Sequence, residues 1–164
     1  MPVRPVVRYP DPLLKLRAEP TDPAEREQLA RDLVDTMHAS PATVGLAAPQ
    51  IGVSSRAFVL DVSGHPRAST SHGLLVAFDP EIVEQEGAEV RREGCLSVPD
   101  LTADVRRATT VALSATTAEG GRGVFHMEGF EARAVLHEID HLDGLLILDR
   151  VDAPTGLFPR RVYR

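Results

Sequence analysis

The chain has 164 residues, of which 43% are hydrophobic and 26% charged, with a formal net charge of −6 at pH 7. That length suits one domain spanning residues 1–164 with a sizeable core, and the acidic balance argues against nonspecific nucleic-acid binding, which needs a basic face. The single cysteine, Cys95, permits no internal disulfide, and neither an apolar signal core in "MPVRPVVRYPDPLLK" nor a membrane-length apolar run occurs, so a cytoplasmic protein without a membrane span is expected.

In chain order, "TDPAEREQLARDLVDTMHAS" predicts a helix. Asp22 suits the N-cap, Pro23 the first turn and Glu25 the capping-box position. Leu29, Leu33 and Met37 recur at helical spacing and should face the core, and Pro41 ends the helix. His38 falls in the last turn, where a cation suits the helix dipole. "VGLAAPQIGV" then predicts a loop punctuated by glycine and proline, and "RAFVLDV" (56–62) a strand. The polar stretch 65–73, with His65 and His72, predicts a surface loop and the most mobile segment. "LLVAFDPEIVEQEGAEVR" predicts two strands joined by a turn at Asp79-Pro80. Its acidic run from Glu81 to Glu93 reads as a solvated strand face. A hairpin is expected around Glu119 to Gly123, with His126 on its second strand. A helix follows from about Phe130 to Leu142, capped by Gly144, and the tail from Asp152 shows no pattern. Strands in the middle and helices at both ends predict an α+β fold.

The second helix carries "VLHEIDHLDG". His137 and His141 stand four apart and share one helix face, so both can point ring nitrogens at one ion. Glu138 sits beside that face, within reach of a water between them. The pattern alone also fits a solvated helix face, and a catalytic site needs a third ligand. "REGCLSVP" (92–99) offers Cys95 next to Gly94, although a lone cysteine is equally at home as a small buried hydrophobe. "VGLAAPQIG" (44–52) offers Gln50 behind small residues that let a ligand approach the backbone, although an ordinary turn would look the same.

Together, "TVGLAAPQ" (43–50), "EGCLS" (93–97) and "LHEIDH" (136–141) resemble the three signature motifs of the peptide deformylases, in the family order. "GFEAR" (129–133) is similar as well, and the resemblance runs from "YPDPLLK" (9–15) through "ILDR" (147–150). It implies mostly antiparallel sheets around a central metal-binding HExxH helix. It implies that Cys95, His137 and His141 bind one divalent metal, Fe(II) first, with Zn(II), Ni(II) or Co(II) as substitutes. The implied reaction releases formate from the formyl-methionine of newly made polypeptides, at or near the ribosome, by a monomer. The resemblance makes Glu138 the proton carrier and gives the oxyanion donors as the Gln50 amide and the Leu96 N–H. It puts Val44, Gly45, Glu93, Gly94, Phe130 and His137 around the substrate, and pairs Glu93 with Arg107 to hold the cysteine loop. Asp140 recurs in the motif as a supporting residue.

Two positions depart from the pattern. Thr43 stands where the motif has glycine, and a β-branched residue disfavours positive φ. Leu136 stands where the motif has glutamine, about 100° around the helix from His137. Neither removes a ligand, the base or Gln50. Two other functions remain open on the sequence: hydrolysis of a small N-formyl metabolite by a divergent amidase, and a metal-binding paralogue that serves only as a binding module.

Overall fold

A computed structural model of the chain describes residues 3–160. It adopts the expected α+β class. Eight strands run β1 (Gly45–Ala47), β2 (Ala57–Leu60), β3 (Leu75–Glu86), β4 (Glu89–Cys95), β5 (Val98–Arg107), β6 (Thr110–Thr117), β7 (Arg122–Glu128) and β8 (Leu157–Pro159). They form two antiparallel sheets, ordered β1-β2-β3-β6-β7 and β4-β5-β8. Helix α1 (Arg26–His38) precedes the first sheet and α2 (Gly129–Leu142) follows it.

Helix α1 packs as its periodicity predicts. Leu29, Leu33 and Met37 are buried against Leu46, Val59 and Phe78 of the larger sheet. Full burial of each such side chain contributes about 1.5–3 kcal/mol. Asp22 caps a short 3₁₀ turn at Pro23–Glu25 through Ala24 N–H, and α1 itself starts only at Arg26. Helix α2 lies on the same sheet, with Ala132, Val135 and Leu142 sharing a core with Phe58, Leu60, Leu113 and Met127. It ends in a Schellman turn. Leu145 N–H donates to Asp140 O and Gly144 N–H to His141 O, with Gly144 at φ 77°. A Cβ at Gly144 would meet Lys15 O at 2.6 Å, so both the dihedral and the space exclude other residues.

The structure corrects several local expectations. "VGLAAPQIGV" is not all loop: Gly45–Ala47 pairs with β2, and Ala48–Ile51 forms a 3₁₀ turn. Asp79-Pro80 is a bulge inside one long strand instead of a turn between two. Asp79 takes φ 46°, and its carboxylate accepts from Thr21 N–H and Oγ1 (both 2.8 Å) and from Arg26 (3.0 Å). Those bonds hold the kink, so β3 continues past the proline. The tail is patterned after all, because β8 adds to the edge of β5 through Leu101↔Pro159 and Ala103↔Leu157. The loop 65–73 is tied down. Buried Glu131 on α2 accepts from Thr70 Oγ1 and His72 N–H, both at 2.8 Å. No helix among the described residues is long and apolar enough to cross a membrane.

Candidate metal centre and active site

Two elements bring the chemistry together. The helix α2 presents Arg133, His137 and His141 at four-residue intervals on one face. The β4–β5 hairpin presents Cys95, which pairs with Val98 across the turn Leu96–Ser97. A register shift between Gly94 and Cys95 breaks the ladder there and turns the cysteine away from the regular strand direction.

The donor atoms of Cys95, His137 and His141 lie within 4.8 Å of one another. Cys95 Sγ stands 3.4 Å from His141 Nε2. Sulfur and nitrogen on one tetrahedral ion, at ordinary bond lengths, stand roughly 3.6 Å apart, so the pair is already near ligand spacing. Two buried side-chain atoms here, Glu138 Oε2 and His141 Nδ1, have no hydrogen-bond partner. An unpaired buried polar atom costs about 1–3 kcal/mol, so Glu138 Oε2 suits a further polar partner in the site, whereas His141 Nδ1 lies across the ring from the Nε2 that faces Cys95. The donor set, one thiolate and two imidazoles, fits Fe(II) or Zn(II).

Electrostatics favour the ligand form of the cysteine. Burial opposes the thiolate, but the neighbouring His141 and His137 outweigh it and hold the Cys95 thiol well below its usual range. Burial likewise opposes the His137 cation, yet hydrogen bonds to Cys95 and Glu93 push its pKa well up. An ion held by this cluster would need neutral imidazoles and a thiolate, so its binding would be opposed by acid.

Glu93 is the hub beneath the site. Its carboxylate accepts from Arg107 Nε (2.8 Å) and Nη2 (2.9 Å), from Arg133 Nη1 (2.6 Å), and contacts His137 Nδ1 at 2.9 Å. Burial disfavours its charge, but the Arg107 and His137 hydrogen bonds outweigh that and hold the carboxyl far below the usual carboxylate range. The contact orients His137 so that Nε2 is left for another partner. Arg107 also donates to Asp140 at 2.6 Å, which in turn pairs with Arg150. The acidic run is thus solvated except at its end: Glu81, Glu84, Glu86 and Glu89 are exposed, while Glu93 is 8% exposed.

Glu138 is buried beside the ligand cluster, and burial raises its pKa. A Cβ on Gly45 would stand 2.7 Å from Glu138 Oε1, so β1 reaches the carboxylate only because residue 45 has no side chain. Gln50 is fixed at both ends of its amide. Oε1 accepts from Ala47 N–H at 3.0 Å, and Nε2 donates to Ser97 Oγ at 3.1 Å while standing 3.6 Å from Cys95 Sγ.

A cavity of about 520 Å³ opens onto this group. Of the residues singled out in the sequence, Val44, Gly45, Gln50, Glu93, Gly94, Cys95, Leu96, Phe130, His137 and Glu138 line it, and His141 lies buried behind them. The two departures prove compatible with the site. Thr43 carries no positive φ, since Ala42 takes the left-handed turn at φ 54°, and Thr43 Oγ1 bonds Pro41 O. Leu136 is half-buried and packs against the main core. Sequence reasoning missed three contributors. Arg133 is recoverable from its four-residue spacing before His137. Ser97 closes the EGCLS motif (93–97) without showing a role there, and His65 read only as a loop residue, yet Ser97 positions Gln50, and His65 stacks on Phe130 with ring centroids 3.9 Å apart.

Two imidazoles on an HExxH helix and a facing cysteine from the β4–β5 hairpin, with a buried carboxylate lining the same cavity, define the class of metal-dependent hydrolases. The comparisons give the family. Residues 3–156 match the model for polypeptide deformylase, and the chain belongs to that family. It is 45% identical to a peptide deformylase of Desulforudis audaxviator, covering 98% of this chain and 99% of that one. It is 41% identical to one from Acidobacterium capsulatum, covering 93% and 89%. Among solved structures, a peptide deformylase from Legionella pneumophila superposes with a TM-score of 0.83 at 37% identity, over 93% of this chain and 87% of that one. A class I type b peptide deformylase from Acinetobacter baumannii, crystallised with Met-Ala-Ser, gives 0.82 at 36% identity, over 91% and 98%. The protein is therefore a hydrolase that removes the N-terminal formyl group from newly made polypeptides, and its family is metal-dependent.

Proposed function

We propose that residues 1–164 work as one catalytic domain in which Cys95, His137 and His141 hold a single divalent ion, Fe(II) in the cell, with Zn(II), Ni(II) or Co(II) able to replace it. The observation that carries this reading is the three-donor cluster with Sγ and Nε2 at 3.4 Å, next to a buried and unpaired Glu138 oxygen. Bound there, the ion supplies the Lewis acidity that makes a nucleophilic water available near neutral pH.

The remaining steps belong to groups of the chain itself. Glu138 accepts the water proton on its carboxylate and returns it to the leaving amine nitrogen; its raised pKa suits that exchange. The Gln50 Nε2 amide and the Leu96 N–H face the oxygen that becomes negative as the formyl carbon turns tetrahedral. Gly45 lets the substrate backbone pass beside Glu138. Val44, Phe130 and the edge of His137 form the wall for the methionine side chain, with Glu93 and Gly94 bounding it from β4. The substrate is the nascent formylated polypeptide, met near the ribosome in the cytoplasm by a monomer that touches neither nucleic acid nor membrane. A small N-formyl metabolite would need little of a 520 Å³ cavity, which favours a peptide.

The test is formate release from formyl-Met-Ala-Ser by protein reconstituted with Fe(II) or Ni(II) under exclusion of oxygen, with metal content measured alongside. One ion per chain and turnover that rises with occupancy support the assignment. Turnover independent of metal, or metal bound with Cys95 still freely alkylated, would remove these residues from the site.

A further inference from the structure

Exposed arginines line the cavity. Arg67, Arg91, Arg92 and Arg160 all line it, on a chain whose net charge is −6. Two of them are held by packing. The Arg92 guanidinium stands 3.6 Å from the centroid of the Phe158 ring. Cζ, Nη1 and Nη2 of Arg160 lie 3.5–3.7 Å from the position a Cβ would take at Gly94, so the guanidinium sits over the open side of the residue before Cys95. The nearby acids are largely committed. Glu89 pairs with Arg91 at 2.8 Å, and Glu93 is shared among Arg107, Arg133 and His137. Asp104 approaches Arg92 at 3.4 Å from outside the cavity. Among the described residues, no carboxylate forms an ion pair with Arg67 or Arg160 within 4.0 Å. The mouth therefore carries an excess of positive charge.

We propose that this arginine rim binds carboxylates on the peptide just downstream of formyl-methionine, so that the enzyme favours nascent chains with acidic residues there. The inference rests on the placement of the formyl group beside Glu138 and Cys95. With that end of the substrate at the bottom of the cavity, the following residues have to leave through the mouth and pass the rim. A guanidinium offers a planar pair of donors that matches a carboxylate. Its prior packing on Phe158 or Gly94 reduces the ordering cost of binding. The arginines line a concavity instead of a flat face, which favours a threaded peptide over a nucleic-acid strand.

The experiment compares kcat/KM for two C-terminally amidated peptides, formyl-Met-Asp-Glu and its neutral isostere formyl-Met-Asn-Gln, on the metal-replete full chain. Exposed ion pairs are individually weak, so the acidic peptide should lead by roughly fivefold at low salt, falling towards parity near 0.5 M NaCl as screening shortens to a few ångström. The charge-reversal variant Arg67→Glu/Arg160→Glu should invert the order. Affinities of the deformylated peptides Met-Asp-Glu and Met-Asn-Gln read the rim without turnover, so the proposal stays testable in a variant that has lost metal. Equal values for both peptides at low salt overturn it, as does a preference that survives charge reversal. An acidic advantage seen only with free C-terminal carboxylates also overturns it, since the chain terminus and not the side chains would then be the ligand. Inhibition by a short single-stranded RNA at lower concentration than by Met-Asp-Glu would assign the rim to nucleic acid instead. If wild-type enzyme turns over neither peptide yet binds the acidic product more tightly, the rim stands and the catalytic assignment fails.

Discussion

Glu93→Gln is the most informative single change to this protein. The carboxylate receives two hydrogen bonds from Arg107, one from Arg133, and contacts His137, in a site where it is 8% exposed. Glutamine keeps one acceptor oxygen, but removes the charge and turns an NH₂ group towards two buried cations. Breaking one partner out of a buried ion pair typically costs about 3–5 kcal/mol. Asp140 still holds Arg107 at 2.6 Å, so the lower end, about 3 kcal/mol, is expected. Denaturant unfolding measures it as a lower midpoint at unchanged slope. A second readout follows from His137, whose Nδ1 loses an anionic partner; metal affinity should fall about 10–100-fold. The pH dependence has a definite sign. The folded-state pKa of Glu93 is depressed below its ordinary 4.5. Its contribution is therefore complete above pH 4.5 and lost as pH falls from there towards the folded value. The variant should lack that part of the wild-type acid destabilisation. A loss of stability below about 1 kcal/mol, with metal affinity unchanged, would show that Glu93 is not the hub described here.

Three further outcomes are expected. Cys95→Ser should lower bound metal and turnover together, because a thiolate held down by two imidazoles becomes a neutral hydroxyl; metal analysis of the purified variant checks it. Glu138→Gln should keep metal content near one per chain while turnover of formyl-Met-Ala-Ser falls about 10²–10⁴-fold, the usual loss for a general acid/base. Affinity for Met-Ala-Ser should change little. Gly45→Ala puts a methyl 2.7 Å from Glu138 Oε1 and 3.1 Å from Leu60 Cδ1, so the carboxylate must shift; kcat should fall at least tenfold (about 1.4 kcal/mol) with metal retained, and unchanged kcat would show that Glu138 tolerates displacement.

Much of the site was legible because its signals are local. The four-residue spacing of His137 and His141 puts both on one face of any helix they occupy, and Glu138 one residue on has to lie beside them. The α1 stripe of Leu29, Leu33 and Met37 and the stop at Gly144 follow from the same short-range rules. The three motifs supplied the rest of the resemblance, including Cys95 and Gln50, whose sequence distance from the helix no periodicity spans.

What tertiary structure alone decided lies in long-range pairing. Asp79-Pro80 looked like a turn because those residues favour one, but its carboxylate is held by Thr21 and Arg26 from far earlier in the chain, and the strand runs on. The loop 65–73 looked mobile because it is polar, but Glu131 fastens it from α2. Strand β8 has little pattern of its own and exists by adding to β5. Glu93 closed an acidic run that is otherwise solvated, and only the fold shows two arginines and a histidine converging on it. The sequence by itself thus determined which groups are the candidates for the chemistry and which helix carries two of them. The fold decided which charges are buried and therefore how those groups are held, because burial depends on segments that meet only after the chain has closed on itself.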